Sequence, residues 1–118
     1  MPSYLLLIAE PRGQRQARNE AEGRAAYDEM LAYADALKAR GVLRAVASLQ
    51  SDDQGVRVQR RQGEKRLLDG PFSEAKEMIG GFFLIDVAGR EQALELAAEC
   101  PAAQWATVEV RETGPCWL

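Results

Sequence analysis

Two short stretches, SYLLLIA at residues 3–9 and FFLIDV at residues 82–87, are apolar on both alternating faces. Successive side chains of a strand point to opposite sides. Tyr4, Leu6 and Ile8 therefore oppose Leu5, Leu7 and Ala9, and Phe83, Ile85 and Val87 oppose Phe82 and Leu84. Each strand needs cover on both sides. A chain of 118 residues holds one core, so residues 1–118 are expected to form one domain. Only two segments read as helices, and two helices cover one face of a sheet. A large bare apolar face is unusual on a soluble monomer. A second copy, packed two-fold through one self-complementary surface, is the expected cover.

The remaining pattern supplies the order of elements. Asn19 and Glu22 have the spacing of a capping box. Tyr27, Met30, Leu31, Ala34 and Leu37 then form a helical stripe that ends near Gly41, which predicts a helix over about 20–40. LRAVASLQ at 43–50 reads as a strand, and the preceding PRGQRQAR as a loop. Val56 and Val58 alternate with Arg57 and Gln59, and after Gln62-Gly63 comes a second polar run, so this part predicts a half-exposed hairpin. A second helix over 89–98 places Ala93, Leu96, Ala97 and Cys100 on one face before Pro101, and WATVEVRE at 105–112 is the last strand. With the hairpin set aside the order is βαββαβ. The expected fold is therefore α+β, a ferredoxin-like βαββαβ unit with an inserted β-hairpin, paired into a dimeric α+β barrel.

Composition narrows the chemistry. The net charge is −3, which argues against direct nucleic-acid binding, although Arg57, Arg60, Arg61, Lys65 and Arg66 form a local basic group on the hairpin. No segment approaches a membrane span, and MPSYLLLIAEP lacks the basic start of a secretory signal. The two cysteines, Cys100 and Cys116, have no metal-ligand spacing, and a reducing, cytoplasmic setting is expected. There is no histidine. The commonest acid–base group and metal ligand is thus missing, and neither a cofactor nor a metal is expected.

One stretch gathers ionisable residues on a stiff frame. In LLDGPFSEAKEMIGGFFLIDV, Asp69, Glu74, Lys76 and Glu77 share one short connection with Gly70, Pro71 and Phe72. The turn alone accounts for Asp69 as an acceptor of backbone N–H groups, Gly70 at positive φ and Phe72 as an anchor. The alternative makes Asp69 and Glu77 catalytic carboxylates, two acids whose proximity pushes one pKa upward. Lys76 would then hold an anionic ligand beside Phe72. Gly80-Gly81 would turn the chain back into the sheet. Asp86 shares a strand face with Phe82 and Leu84; it either meets solvent at the strand end or lines a cleft. Tyr33 flanks the helical stripe, and Cys100 reads as a packed, inert thiol.

The same stretch, DGPFSEAKEMIGGFFLIDV, resembles the signature of the DGPF branch of the YCII-related family, and YLLLIAE, LKARGVL, LAAECPAA and VEVR extend the resemblance along nearly the whole chain. The resemblance implies a homodimeric α+β barrel of ferredoxin-like subunits. Some members look like small-molecule enzymes, including a lyase-type dehydrochlorinase, and others are linked to sigma factors. The wider family is associated with a His–Asp pair. Its histidine would fall near Tyr33 in LAYADAL, whose hydroxyl would then face the same pocket, and its aspartate where this chain has Cys100-Pro101. Neither partner is present, so that mechanism does not carry over. Three functions stay open: a small-molecule-binding protein or lyase-like enzyme with a pocket beside the DGPF loop, a regulatory module associated with a sigma factor, and a non-catalytic dimeric relative.

Overall fold

The computed structural model describes residues 1–117. Six strands and three helices follow in the order β1 (Ser3–Pro11), α1 (Gln14–Ala17), α2 (Glu20–Ala39), β2 (Leu43–Ser48), β3 (Val56–Arg61), β4 (Glu64–Asp69), β5 (Glu77–Asp86), α3 (Arg90–Glu99) and β6 (Thr107–Glu112). Strands β2, β5, β1 and β6, in that spatial order, form one antiparallel sheet. That is the ferredoxin-like α+β arrangement expected from the βαββαβ order. Strands β3 and β4 pair only with each other, through a two-residue turn at Gln62-Gly63 in which both residues have positive φ.

Local signals account for the long helix. Asn19 accepts from the Glu22 N–H at 2.8 Å, and the Glu22 carboxylate accepts from the Asn19 N–H at 3.0 Å, closing the capping box. Gly41, just past the end, has φ of 75°. The inward faces of β1 and β5 meet α2 and α3 in one core of Leu6, Ile8, Leu37, Phe83, Ile85 and Leu96, with Ala93, Ala97 and Cys100 below α3. Each large apolar side chain removed from water contributes ~1.5–3 kcal/mol. Tyr33, expected at the boundary of the stripe, lies inside this core. Its ring meets Phe83 edge-on at 5.1 Å, and its hydroxyl donates to the Leu96 carbonyl at 2.5 Å, which ties α2 to α3.

The opposite face of the sheet is bare. Leu5 pairs across with Leu84 and Leu7 with Phe82, and all four are only half-buried. Ala45 and Ala47 extend the face along β2, while Glu109 and Arg111 of β6 form an ion pair beside it. The molecule measures 45 × 41 × 19 Å, with a radius of gyration of 16.0 Å. A compact chain of this length has about 13–14 Å. The excess comes from a two-layer slab with a projecting β3–β4 hairpin, whose Val56, Val58 and Leu67 are exposed.

Candidate functional site

The DGPF turn is a clamp built across the chain. Arg12, at the end of β1, grips Asp52 with both arms, Nη1 to Oδ1 at 2.9 Å and Nη2 to Oδ2 at 2.6 Å. Its Nε donates to the Ala75 carbonyl at 2.8 Å, and its own N–H donates to the Lys76 carbonyl at 3.0 Å. The Phe72 N–H donates to Asp52 Oδ2 at 3.4 Å. These hydrogen bonds, those from Arg12 above all, hold the Asp52 carboxyl below its ordinary range. Phe72 lies under the Arg57 guanidinium at 3.7 Å, and Arg57 pairs with Glu74. Gly70 does not have the positive φ expected of it. It is glycine because a Cβ there would lie 1.8 Å from the Asp52 carbonyl oxygen.

Asp69, Lys76 and Glu77 lie on the exposed surface of this segment, and neither cavity described below includes them. Phe72 is half-buried against Arg57, and Tyr33 is in the core. Asp86 sits at the strand end, hydrogen-bonded by Ser3 Oγ and 3.7 Å from Arg44. The structure thus brings Phe72 to the clamp and leaves the other five side chains apart from it. Burial raises the pKa of the Tyr33 hydroxyl, with Cys100 and Glu99 adding to the shift. The buried Cys100 thiol is likewise pushed up by burial, although the Ala102 and Ala103 N–H groups oppose this. Neither group is set up for proton transfer near neutrality.

The large concavity is elsewhere, between the first half of α2 and the β2–β5 side of the sheet. It has a volume of about 620 Å3. The helical stripe expected to be core divides here. Ala34 and Leu37 are buried, whereas Tyr27 and Leu31 are exposed on the cleft wall, facing Val46 and Leu49. Met30, Phe83 and Trp105 add to the apolar lining. A smaller hollow of about 360 Å3 lies between α3 and β6 and is lined by Leu94, Ala97, Val108, Val110 and other apolar residues.

The polar end of the large cleft comes from the segment that reads as a loop. Residues 14–17 instead form α1, held by tertiary contacts. Gln14 Nε2 donates to the Trp105 carbonyl at 2.6 Å, while its Oε1 is buried with no partner among the described residues. Arg15 Nε donates to Glu10 Oε1 at 2.5 Å, and the Arg18 guanidinium lies 4.5 Å from the centre of the Trp105 ring. Glu10 is 5% exposed, the one charged residue buried in the core among the described residues. Its Oε2 accepts no hydrogen bond among the described residues, and the side chain lines the cleft.

Room for Glu10 is made by a missing side chain. A Cβ on Gly80 would lie 2.3 Å from Glu10 Oε2. Gly80 is the extra residue at the irregularity where Ile8 pairs with Gly81 and Ala9 with Ile79. Gly81 is needed for a different contact, since its Cβ would approach the Ala47 carbonyl oxygen to 2.8 Å. The two glycines therefore lie inside β5 and do not turn the chain back into the sheet. Glu10 and Arg15 were not among the residues expected at a site, and Gly80 was expected only as part of a turn. The one available signal was a glutamate ending an otherwise apolar strand, followed by two closely spaced arginines.

No helix among the described residues is long and apolar enough to cross a membrane. No group of three Asp, Glu or Cys side chains among them is placed to hold a metal ion.

An antiparallel four-stranded sheet with two helices on one face defines the class: a ferredoxin-like α+β domain. The YCII-related domain matches residues 3–115, and the chain belongs to that family. An uncharacterised protein of Rhizobium meliloti (strain 1021) is 37% identical over 67 residues, 57% of this chain. The matched region spans 54% of that relative's length.

Proposed function

We propose that the protein binds a small organic molecule in the cleft between α2 and the sheet, with Glu10 as its central polar contact. The observation that carries this is the half-used carboxylate. Burying a charged group is costly unless its oxygens are satisfied, yet Glu10 has one oxygen on Arg15 and the other open to an apolar hollow of about 620 Å3. That volume falls within the range of small-molecule pockets, which combine apolar walls with a few convergent polar groups. Glu10 can accept a hydrogen bond from a ligand there, and a lyase-like reaction would use the same oxygen as its base. Asp69 and Glu77, the carboxylates expected to be catalytic, have no part in this reading. The DGPF-branch assignment rests on Asp69-Gly70-Pro71-Phe72, and the clamp around Asp52 supports a structural use of that motif.

A neutral fluorescent probe, N-phenyl-1-naphthylamine, tests the cleft. Saturable one-to-one binding is expected for the wild type and its loss for Ala26→Trp, which fills the cavity from α2. Equal binding by both proteins, or none by the wild type, would overturn the reading.

The second copy expected on the bare sheet face belongs to the same proposal. Half-buried Leu5, Leu7, Phe82 and Leu84, on a slab 19 Å thick, support a homodimer closed face to face. Leu84→Glu should give a folded monomer in sedimentation, whereas Phe83→Glu, aimed at the helices, should unfold the chain. A wild-type protein that sediments as a folded monomer at micromolar concentration would remove the dimer. A regulatory reading is favoured by one separate feature. The hairpin exposes Val56, Val58 and Leu67 beside its arginines, a surface suited to a protein partner such as a sigma factor. Pull-down with and without Val58→Asp would test it.

A further inference from the structure

The charges that line the cleft do not cancel. Glu20 and Arg24 pair along α2 at 2.8 Å. Glu10 pairs with Arg15. Arg18 remains, with no carboxylate partner among the described residues, held over the Trp105 ring. Arg15 spends only Nε on Glu10, so its two terminal nitrogens donate no hydrogen bond among the described residues. The polar end of the cavity therefore carries one surplus positive charge and unused guanidinium donors, next to walls of Tyr27, Met30 and Leu31.

From this we infer that the ligand is an apolar monoanion: a hydrophobic body of roughly ring size bearing one carboxylate or similar anionic group. The body lies along the α2 wall. The anionic group meets Arg18 and the free face of Arg15. This inference rests on the proposed small-molecule site and specifies its ligand class. Two features make the arrangement selective. A guanidinium presents a planar fork of donors that matches a carboxylate. Stacking on Trp105 fixes the Arg18 fork in advance, so less side-chain freedom is lost when the ligand arrives. Glu10 acts in the opposite sense, since its open Oε2 repels an anion placed beside it. The anionic group is therefore seated towards Arg18 and the outer nitrogens of Arg15. Any hydroxyl or amide N–H on the ligand body is left to donate to Glu10.

The test uses three compounds with one body and different heads: 4-phenylbutyrate, 4-phenylbutanol and 4-phenylbutylamine. Each is titrated against the wild type, Arg18→Gln and Arg40→Gln, with affinities read by ligand-observed NMR. Arg40 lies at the far end of α2, paired with Glu99, and serves as a charge control. In the wild type and in Arg40→Gln the carboxylate should bind about tenfold or more tighter than the alcohol, the scale expected of charge-assisted hydrogen bonds. Arg18→Gln should weaken the carboxylate several-fold more than it weakens the alcohol, with Arg15 holding the remainder. Equal affinity of acid and alcohol in the wild type, or preference for the amine, would overturn the monoanion and leave the small-molecule site standing. An anion preference that is undiminished in Arg18→Gln would also overturn it. Failure of all three compounds together with the neutral naphthyl probe would remove the site itself.

Discussion

Arg12 and Arg15 are close neighbours in sequence, and each meets a carboxylate, but the two pairs are used differently. Arg12 spends both terminal nitrogens on Asp52 and its Nε on a backbone carbonyl, and Asp52 Oδ2 takes a further backbone N–H. Three of the five guanidinium N–H groups and both carboxylate oxygens are thus engaged within the clamp. Arg15 spends one nitrogen on one oxygen of Glu10, and the rest of both groups faces a cleft. The first pair fixes a turn and the second leaves bonding capacity facing the cleft proposed as a binding site. The extent to which hydrogen-bonding capacity is used separates a structural ion pair from a candidate site here, and local density of charge does not. The charged stretch around Asp69 is the denser of the two, and it gives the clamp backbone groups of Phe72, Ala75 and Lys76, not its charged side chains.

Removing the room for the clamp should have the largest effect. In Gly70→Ala the new methyl group meets backbone, which cannot swing aside. A loss of about 3 kcal/mol in urea unfolding is expected. A wild-type midpoint in this variant would show that the turn is not rigid and break the contrast.

Asp52→Asn should come next, with a pH signature. The folded Asp52 carboxyl lies below its ordinary value because of Arg12. The clamp's contribution is therefore complete above the unfolded value of about 4. It is lost as pH falls through the lower folded value. Urea midpoints measured from neutrality downward should fall more steeply for the wild type than for Asp52→Asn over this acid range. Parallel curves would mean that Asp52 is not coupled to folding.

Gly80→Ala sharpens the other half of the comparison. Its methyl group meets the end of a side chain that can move, so unfolding should change by only about 1 kcal/mol. Binding of the neutral probe should fall about tenfold or more as Glu10 is driven into the cleft. A large loss of stability with binding retained would make Glu10 a structural residue like Asp52.

Arg57→Ala should have the smallest effect. Its contacts to Phe72 and Glu74 lie on the exposed side of the clamp. A change under about 1 kcal/mol is expected. A larger one would extend the clamp outward to the hairpin.

Elements whose cause is local were legible in the sequence. The Asn19–Glu22 box places the start of α2, and the doubly apolar runs at Tyr4 and Phe82 mark the two central strands. The Ala93-Leu96-Ala97-Cys100 face is buried as its spacing indicates. What stayed hidden depends on residues far apart in the chain. Asp52 lies 40 positions from Arg12, in a turn that reads as an ordinary Asp-rich connection. Helix α1 has four residues, too few to hold itself together, and exists because Trp105 and Glu10 receive its side chains. Gly80 and Gly81 carry the composition of a turn, yet each is a strand residue whose neighbour occupies the space of a side chain.

The hollow at Gly80 also affects how the protein can change over time. Most binding sites decline gradually, as many contact residues drift and each removes part of the affinity. Here the space for Glu10 depends on the absence of a single carbon atom. Any replacement of Gly80 installs that carbon, so one mutational step displaces the Glu10 carboxylate. The capped helix, the Asp52 clamp and the core around Leu6 and Ile85 do not depend on that position. Under the proposed function, copies of the gene with and without glycine there would encode similar folds that differ in how they hold a ligand. In a set of relatives, residue 80 is therefore a cheap marker for sorting clefts with room for this carboxylate from those without it before any assay.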